Sequence, residues 1–198
     1  MQSVLPSHSG LAPRSFALQE SLPGKIVLVV AASVLVAACA HISLPLPFTP
    51  VPLTLQTFAV ILVGMALGPV AGFSAMVLYL AEGAMGLPVF SPAGPGGIAQ
   101  LLGPTAGYLF AFPLAAAVAG GLVRGLDGVV SRFTRAIVAG VASTAVILAL
   151  GTFWVAHLLH LGTVAAWTLA IAPFLIGEAI KITAAAGIFS SLQRWRRA

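Results

Sequence analysis

Six apolar stretches of roughly membrane-spanning length occupy most of this 198-residue chain. A helix that crosses a bilayer needs about 20 apolar residues, and fewer where it is short or re-entrant. Proline-rich and glycine-rich breaks separate the stretches, since four prolines within 45–52 and a Gly/Pro run over 87–102 cannot continue a helix. The stretches cover, in order, about 25–44, 53–67, 70–86, 103–123, 133–159 and 165–192.

Composition supports the same conclusion. Hydrophobic residues make up 60% of the chain and charged residues only 7%, whereas a soluble domain carries roughly a quarter charged residues. A soluble globular domain of this length cannot bury so many apolar side chains in its core. We therefore predict an all-α integral membrane protein with six transmembrane helices, anchored in the lipid bilayer of the cell's inner (plasma) membrane.

The basic residues predict the orientation. Apart from Lys181, they fall into three clusters at the ends of apolar stretches, namely Arg14 with Lys25, Arg124 with Arg132 and Arg135, and Arg194 with Arg196 and Arg197. The connections on the other side, 45–52, 87–102 and 160–164, contain no Lys or Arg. By the positive-inside rule, both termini face the cytoplasm. The net charge of +5 then reports orientation and does not indicate a nucleic-acid partner.

This layout predicts three parts of the chain. A cytoplasmic N-terminal tail covers 1–24, a six-helix membrane domain that binds the substrate covers 25–192, and a basic cytoplasmic tail covers 193–198. The two long Gly/Pro-rich loops then lie on the extracytoplasmic side, where a solute arrives. Irregular backbone near a membrane is tolerated where it is buried in protein or lines a watery cavity, so we expect these loops to fold over a pocket.

Glu178 and Lys181 lie inside the sixth apolar stretch, three residues apart, so their side chains leave the same helix face. An ionisable residue within a membrane segment is a candidate functional site. An ammonium donor beside a carboxylate acceptor suits a neutral ligand group such as a urea or amide. On a continuous sixth helix entered near Trp167, Glu178 lies roughly 16 Å deep. The alternative is that the two charges only neutralise each other or a neighbouring helix.

Several polar and aromatic residues converge on the same outer half. Thr49 and Gln56 flank the proline run, Tyr79 and Tyr108 lie in the third and fourth stretches, and Glu82 lies near the outer end of the third. Apolar pockets with a few convergent polar groups are typical of small-molecule sites. Packing or snorkelling explains each of these residues better than ligand contact when it is considered alone, and their convergence on the outer half favours a site.

Small residues recur at four-residue spacing at Gly64, Gly68 and Gly72, and again at Ser33 and Ala37. This spacing lets helices approach closely, either within the chain or at a partner interface. Enzymatic signatures are missing from the sequence, which has no Walker A, Gly-x-Ser-x-Gly or His-Glu-x-x-His motif. We expect a transporter subunit, not an enzyme, and neither a metal nor a cofactor.

Five segments together resemble the BioY family, the biotin-binding S components of energy-coupling factor (ECF) transporters. The resemblance spans about 25–192 and rests on the segments 46–56, 78–83, 86–90, 103–108 and 173–181. It implies that six helices hold biotin near the extracytoplasmic side, beneath outer loops. It also implies high-affinity capture and delivery inward with a transmembrane coupling subunit and ABC-type ATPases, although some members lack dedicated partners.

The resemblance also implies residue roles. Glu178 and Lys181 are expected to contact the ureido ring of biotin, although the family often has Asp at the first position and Gly where this chain has Ala106. The resemblance further implies that the first helix contacts the coupling subunit through small residues, here Ser33 and Ala37. Independently of the resemblance, no Arg or Lys lies on the outer side, so we expect backbone N–H groups of 94–97, or hydroxyls, to hold the carboxylate. The expected substrate-binding residues are Thr49, Gln56, Tyr79, Glu82, Phe90, Gly97, Tyr108, Glu178 and Lys181. Two alternatives remain: an S component for another vitamin, or a membrane enzyme acting on a lipid or vitamin precursor.

Overall fold

The structure is a computed structural model that describes residues 21–195 and is mostly helical. Residues 1–20 and 196–198, which include most of the predicted N-terminal tail, half of the predicted C-terminal tail, and Arg14, Arg196 and Arg197, lie outside the described residues. The helices are α1 Leu22–His41, α2 Gln56–Leu67, α3 Pro69–Ala84, α4 Gly97–Leu102, α5 Ala106–Gly125, α6 Arg132–Leu158, α7 Thr163–Ala170 and α8 Leu175–Trp195, with a 3-10 turn at Ala172–Phe174. Two short strands, β1 Ser43–Leu44 and β2 Leu53–Thr54, pair antiparallel.

Local signals fix several helix ends. Ser21 caps α1, because its hydroxyl accepts a hydrogen bond from the N–H of Gly24 at 3.2 Å. Ser131 caps α6 in the same way, accepting from the N–H of Thr134 at 3.1 Å. Helix α1 therefore begins at Leu22, three residues before the predicted start, and α8 runs to Trp195, so the inner residues of both predicted tails are helical.

The turn between α2 and α3 is as tight as the Gly68-Pro69 pair predicts. Gly68 has φ +87°, which L side chains rarely adopt, and a Cβ there would also collide with the guanidinium of Arg124. The N–H of Gly68 still closes α2 by donating to the carbonyl of Gly64 at 2.9 Å. The two helices form a hairpin as a result.

Helix α5 lies at the centre of the bundle. It packs against α2, α3 and α6, while α8 packs on α6 and α2, and α1 packs on α3 and α2. Small residues permit these approaches: a Cβ on Gly64 would collide with the carbonyl of Ala116, and one on Gly120 with the backbone of Gly68. The repeated small residues at Gly64 and Gly72 therefore serve packing within the chain.

Within residues 21–195, four helical segments are long and apolar enough to cross a membrane. They are Leu22–His41, Ala106–Gly125, Arg132–Leu158 and Thr163–Trp195, the last of which contains a break. Helices α2 and α3 are apolar but shorter, at 12 and 16 residues.

The break in the last segment corrects the prediction of one continuous helix over 165–192. Helix α7 ends at Ala170, a 3-10 turn follows, and α8 begins at Leu175. Pro173 lies in this turn, where it has no N–H to donate to a preceding carbonyl. The break leaves carbonyls without intrahelical donors, and side chains donate to them instead. The Thr49 hydroxyl donates to Leu169 O at 2.7 Å, and the Tyr108 hydroxyl donates to Ala170 O at 2.8 Å. The depth of roughly 16 Å expected for Glu178 assumed a continuous helix, so the break removes the basis of that value.

Two segments gather at one end of the bundle, which we call the loop end. The hairpin segment 42–55 encloses the proline run between β1 and β2, and the connection 85–96 leads into α4, so the predicted break over 87–102 contains one short helix. The Ser91 hydroxyl donates to Ser43 Oγ at 2.9 Å and joins the two segments. The opposite end, the basic end, carries Lys25, Arg124, Arg132, Arg135 and Arg194.

Candidate functional site

A cavity with an empty volume of about 530 Å³ lies between the loop end and the middle of the bundle. Five helices (α2, α4, α5, α6 and α8), the 3-10 turn and both loop-end segments contribute to its wall. The lining residues are Val51, Pro52, Thr54, Gln56, Thr57, Ser91, Gln100, Thr105, Tyr108, Leu109, Phe112, Ile147, Leu148, Phe174, Glu178 and Lys181.

Three polar side chains form a connected group in the wall made by α2 and α8. Lys181 Nζ lies 2.7 Å from Glu178 Oε1, and Thr57 bridges the pair, donating to Glu178 Oε1 at 2.8 Å and accepting from Lys181 Nζ at 3.0 Å. The side chains of Lys181 and Glu178 are only 9% and 5% exposed. Glu178 stands in the first turn of α8, so the break after Ala170 places it at a helix N-terminus, where a carboxylate is favoured.

This group retains hydrogen-bonding capacity. Glu178 Oε2 is buried and has no hydrogen-bond partner, and an ammonium has three N–H donors, of which two are used here by Lys181. A buried acceptor without a partner costs about 1–3 kcal/mol. The wall therefore offers one charged acceptor and one charged donor, side by side, to a molecule in the cavity.

Gln56 lines the cavity, but the predicted residues Tyr79 and Phe90 lie behind Gln56. The Gln56 Nε2 donates to the Tyr79 hydroxyl at 2.5 Å, and that hydroxyl donates to Val89 O at 3.0 Å. Tyr79 is fully buried, and Phe90 packs edge-on against its ring at 5.4 Å between centroids. Tyr79 and Phe90 therefore hold the 85–96 segment against α2 and α3 and do not line the cavity.

Three further predicted site residues also lie away from the cavity wall. Thr49 reaches Leu169 O, and Gly97 is the first residue of α4, with φ +60°. Glu82 is half-buried between helices, where its Oε1 accepts a hydrogen bond from Ser33 Oγ at 3.1 Å. Ser33, expected at a partner interface, is fully buried, and Ala37 is half-buried.

Tyr108 is positioned by a glycine on the neighbouring helix. A Cβ on Gly151 of α6 would overlap the Tyr108 ring, so the absence of a side chain makes room for it. The ring packs at 6.3 Å from that of Phe174, and both line the cavity together with Phe112 and Ile147. These residues give the middle of the cavity apolar walls.

The cavity wall also contains polar residues that were not predicted from the sequence, namely Thr57, Ser91, Gln100 and Thr105. Thr57 directly follows Gln56 at the start of an apolar helix, and that pairing of polar residues was the available signal. Gln100 is 3% exposed, and its Oε1 accepts from the N–H of Gly96 at 3.1 Å. The N–H of Gly94 donates to Ser91 O at 3.2 Å. Two of the backbone donors expected to hold a carboxylate thus already have protein acceptors.

Ala106, which departs from the family pattern, is the first residue of α5 and is fully buried. Its N–H donates to Gly103 O at 3.1 Å. Between residues 21 and 195 no group of three His, Cys, Asp or Glu side chains comes together that would hold a metal ion.

Comparisons with known proteins agree with this architecture. The BioY family model matches residues 13–198. The chain is 40% identical over 147 residues to a probable biotin transporter BioY from Pyrococcus horikoshii, covering 73% of this chain and 82% of that protein. It is 39% identical over 160 residues to the biotin transporter BioY from Thermotoga maritima, covering 81% and 90%.

A solved structure shares the fold. The crystal structure of the S-component for biotin from an ECF-type ABC transporter superposes with a TM-score of 0.79 at 21% sequence identity, covering 93% of this chain and 95% of that chain. The break in the last apolar segment and the tight α2–α3 hairpin thus belong to a chain whose overall architecture has been seen before.

Proposed function

The chain belongs to the BioY family, and from this membership we propose that it is a membrane-embedded biotin-binding protein that mediates biotin uptake. It is an integral membrane protein, as its apolar helices and its transporter relatives indicate. It captures biotin at the loop end and releases it at the basic end. The relatives are named transporters, which favours a transport subunit over a membrane enzyme or an S component for another vitamin.

The observation that carries this proposal is the half-satisfied ion pair in the cavity wall. The ureido ring of biotin has a carbonyl acceptor flanked by N–H donors. Its carbonyl suits the remaining donor of Lys181, and one N–H suits the unpartnered Oε2 of Glu178. Hydrogen bonds to charged groups are short and stronger than neutral ones. Thr57 fixes the spacing of the two charges by bonding to both.

The rest of the ligand fits the remaining walls in order. The tetrahydrothiophene ring and the valeryl chain lie against Tyr108, Phe112, Ile147 and Phe174. The carboxylate lies nearer the loop-end segments, where the polar groups of the wall include the Gln100 amide and the hydroxyls of Ser91 and Thr105, beside Thr54. We assign the carboxylate to these side chains in place of the backbone N–H groups of 94–97.

The proposed topology has six spans with both termini in the cytoplasm of a cell whose inner membrane holds the protein. Four spans come from the long apolar segments, and α2 and α3 supply two more. Helix α2 is only about 18 Å long at 1.5 Å per residue. Most of its residues are buried by neighbouring helices, which shield it from lipid. The basic end then faces the cytoplasm, as the positive-inside rule requires.

The proposal also includes partner proteins. A solved relative in fold is a component of an ECF-type ABC transporter, and this chain's sequence contains no ATP-binding motif of its own. We propose a transmembrane coupling subunit and ABC-type ATPases as partners. The outward face of α1, with Ile26, Val27, Val34 and Leu35 exposed, is the surface that is available to them. Ser33, by contrast, reaches a partner only if α1 moves.

Equilibrium binding of radiolabelled biotin to the purified protein in detergent tests the function. We expect stoichiometric binding without chemical change to the ligand, and competition by unlabelled biotin but not by unrelated vitamins. A protein that is monodisperse and thermally cooperative yet shows no binding at micromolar biotin would sink the proposal. Binding of another vitamin in its place would favour the alternative S component.

A further inference from the structure

A crevice with an empty volume of about 1570 Å³ opens between α1 and α3 at the basic end. Towards the loop end the same helices are held together, because Ser33 donates to Glu82 and both Ser33 and Val36 are fully buried. Below this contact the helices diverge. The walls include Leu28 and Val29 of α1 and Ala71 and Leu78 of α3. The cations Lys25 and Arg124 lie at the mouth.

The mouth of the crevice is positively charged. Arg124 lies across the α2–α3 turn, where its Nη2 donates to Leu67 O at 3.0 Å and its guanidinium covers Gly68. Lys25 stands in the first turn of α1 and is exposed. Among residues 21–195, no Asp or Glu lines the crevice. Two cations therefore line a crevice whose walls are otherwise largely apolar.

We propose that this crevice binds an anionic phospholipid, with one acyl chain between α1 and α3 and the phosphate between Lys25 and Arg124. Apolar walls that open sideways within a membrane are filled by hydrocarbon, since water there would leave its hydrogen bonds unmade. Basic pockets between transmembrane helices at the cytoplasmic side bind anionic head groups. Arginine adds a planar fork that matches phosphate oxygens.

The choice of a lipid over a protein segment follows from the distribution of polarity. The charged groups are confined to one mouth and the wall beyond them is apolar, which matches a molecule with one anionic end and a hydrocarbon tail. Ser74 is the one neutral polar side chain in the lining, and its hydroxyl donates to Val70 O at 2.9 Å. The lining thus has little to offer the polar groups of a protein helix.

Native mass spectrometry of the complete chain in detergent tests the proposal, with phosphatidylglycerol and phosphatidylcholine of identical acyl chains as probes. We expect phosphatidylglycerol to be retained preferentially. The Lys25→Gln/Arg124→Gln variant should retain about 30-fold less of it, since two basic residues at roughly 1 kcal/mol each near an anionic surface together contribute roughly 2 kcal/mol. The matched control, Arg132→Gln/Arg194→Gln, loses the same charge at the same end and should retain it as the parent does.

A second variant tests the acyl-chain half of the site. Ala71→Phe fills the crevice but leaves both cations, so we expect loss of phosphatidylglycerol retention in a protein that remains monodisperse. Glycerol phosphate, the head group without chains, should fail to displace the lipid from the parent. Equal retention of the two lipids, equal loss in the control variant, or full retention by Ala71→Phe would each overturn the proposal. If Ala71→Phe blocks a coupling subunit while lipid stays bound, a protein occupies the crevice instead. None of these readouts requires biotin binding.

Discussion

Glu178 Oε1 lies 2.7 Å from Lys181 Nζ, whereas the second oxygen of the same carboxylate is buried without a hydrogen-bond partner. An isolated ion pair in an apolar wall would be more stable if both oxygens were satisfied. The open oxygen is the acceptor that a ligand would satisfy if the pair forms the proposed binding site. It also provides a sharp test, because one atom of one side chain is expected to carry much of the recognition.

Glu178→Gln keeps the size of the side chain and removes its charge. We expect the affinity for biotin to fall about 10- to 150-fold, since a hydrogen bond to a charged group contributes roughly 1.5–3 kcal/mol. Equilibrium binding of radiolabelled biotin measures the change. Glu82→Gln is the matched control, because Glu82 also lies inside an apolar helix. Its half-buried carboxylate accepts a hydrogen bond from Ser33 and lies away from the cavity. If the two variants lose affinity equally, Glu178 has no special role.

Thr57→Val removes the hydroxyl that bonds to both members of the ion pair and preserves the shape of the side chain. We expect a three- to tenfold loss of biotin affinity, because a typical hydrogen bond contributes about 0.5–1.5 kcal/mol. Isothermal titration in detergent gives the affinity. Thr183→Val provides the control, since the Thr183 hydroxyl is exposed on α8 and donates only to Ala179 O, one turn back. A parent-like Thr57→Val variant would contradict the bridging role.

The carboxylate assignment is tested with two ligands. Gln100→Leu should weaken the binding of biotin but leave the binding of biotin methyl ester close to that of the parent, because the ester has no charge for the amide to recognise. Competition against radiolabelled biotin reports both affinities. Equal losses for the two ligands would show that Gln100 supports the 91–96 segment, through the N–H of Gly96, without contacting the carboxylate.

Tyr108→Phe removes the hydroxyl that satisfies the carbonyl of Ala170 at the helix break. We expect the free energy of unfolding to fall by about 1–2 kcal/mol, because a buried carbonyl loses its closest donor while Thr152 remains 3.4 Å away. Thermal unfolding in detergent measures this loss. Thr168→Val serves as the control, since its hydroxyl is exposed and bonds only within α7. An unchanged midpoint for Tyr108→Phe would show that the break does not depend on this bond.

Arg135 holds the basic end together, so its loss should affect stability and not the ligand site. Its guanidinium is buried, pairs with Asp127, and donates to Val123 O at 3.3 Å and Gln193 Oε1 at 2.5 Å. For Arg135→Met we expect the unfolding free energy to fall by about 1–3 kcal/mol, with biotin affinity retained. Arg132→Gln should change neither property. Loss of biotin binding by a still-folded Arg135→Met protein would indicate coupling between the two ends.

Hydropathy and charge predicted most of the helices, because a membrane segment must be long, apolar and bounded by breakers. The spacing of Glu178 and Lys181 likewise predicted that their side chains meet. The break after Ala170 was missed because Pro173 lies in a run whose hydropathy does not change, and the donors that make the break possible, Thr49 and Tyr108, come from distant parts of the chain. Tyr79 was placed in the wall because sequence cannot tell which side of Gln56 a ring occupies.

The hydrogen bond between Ser91 and Ser43 has a kinetic consequence. The two segments that border the cavity at the loop end are joined to each other, so neither can swing aside without the other or without breaking that bond. If the ligand enters and leaves at the loop end, as proposed, we expect both steps to depend on one shared opening event. Such a gate gives a single observed relaxation rate on mixing, which levels off at high ligand concentration when opening becomes slower than encounter.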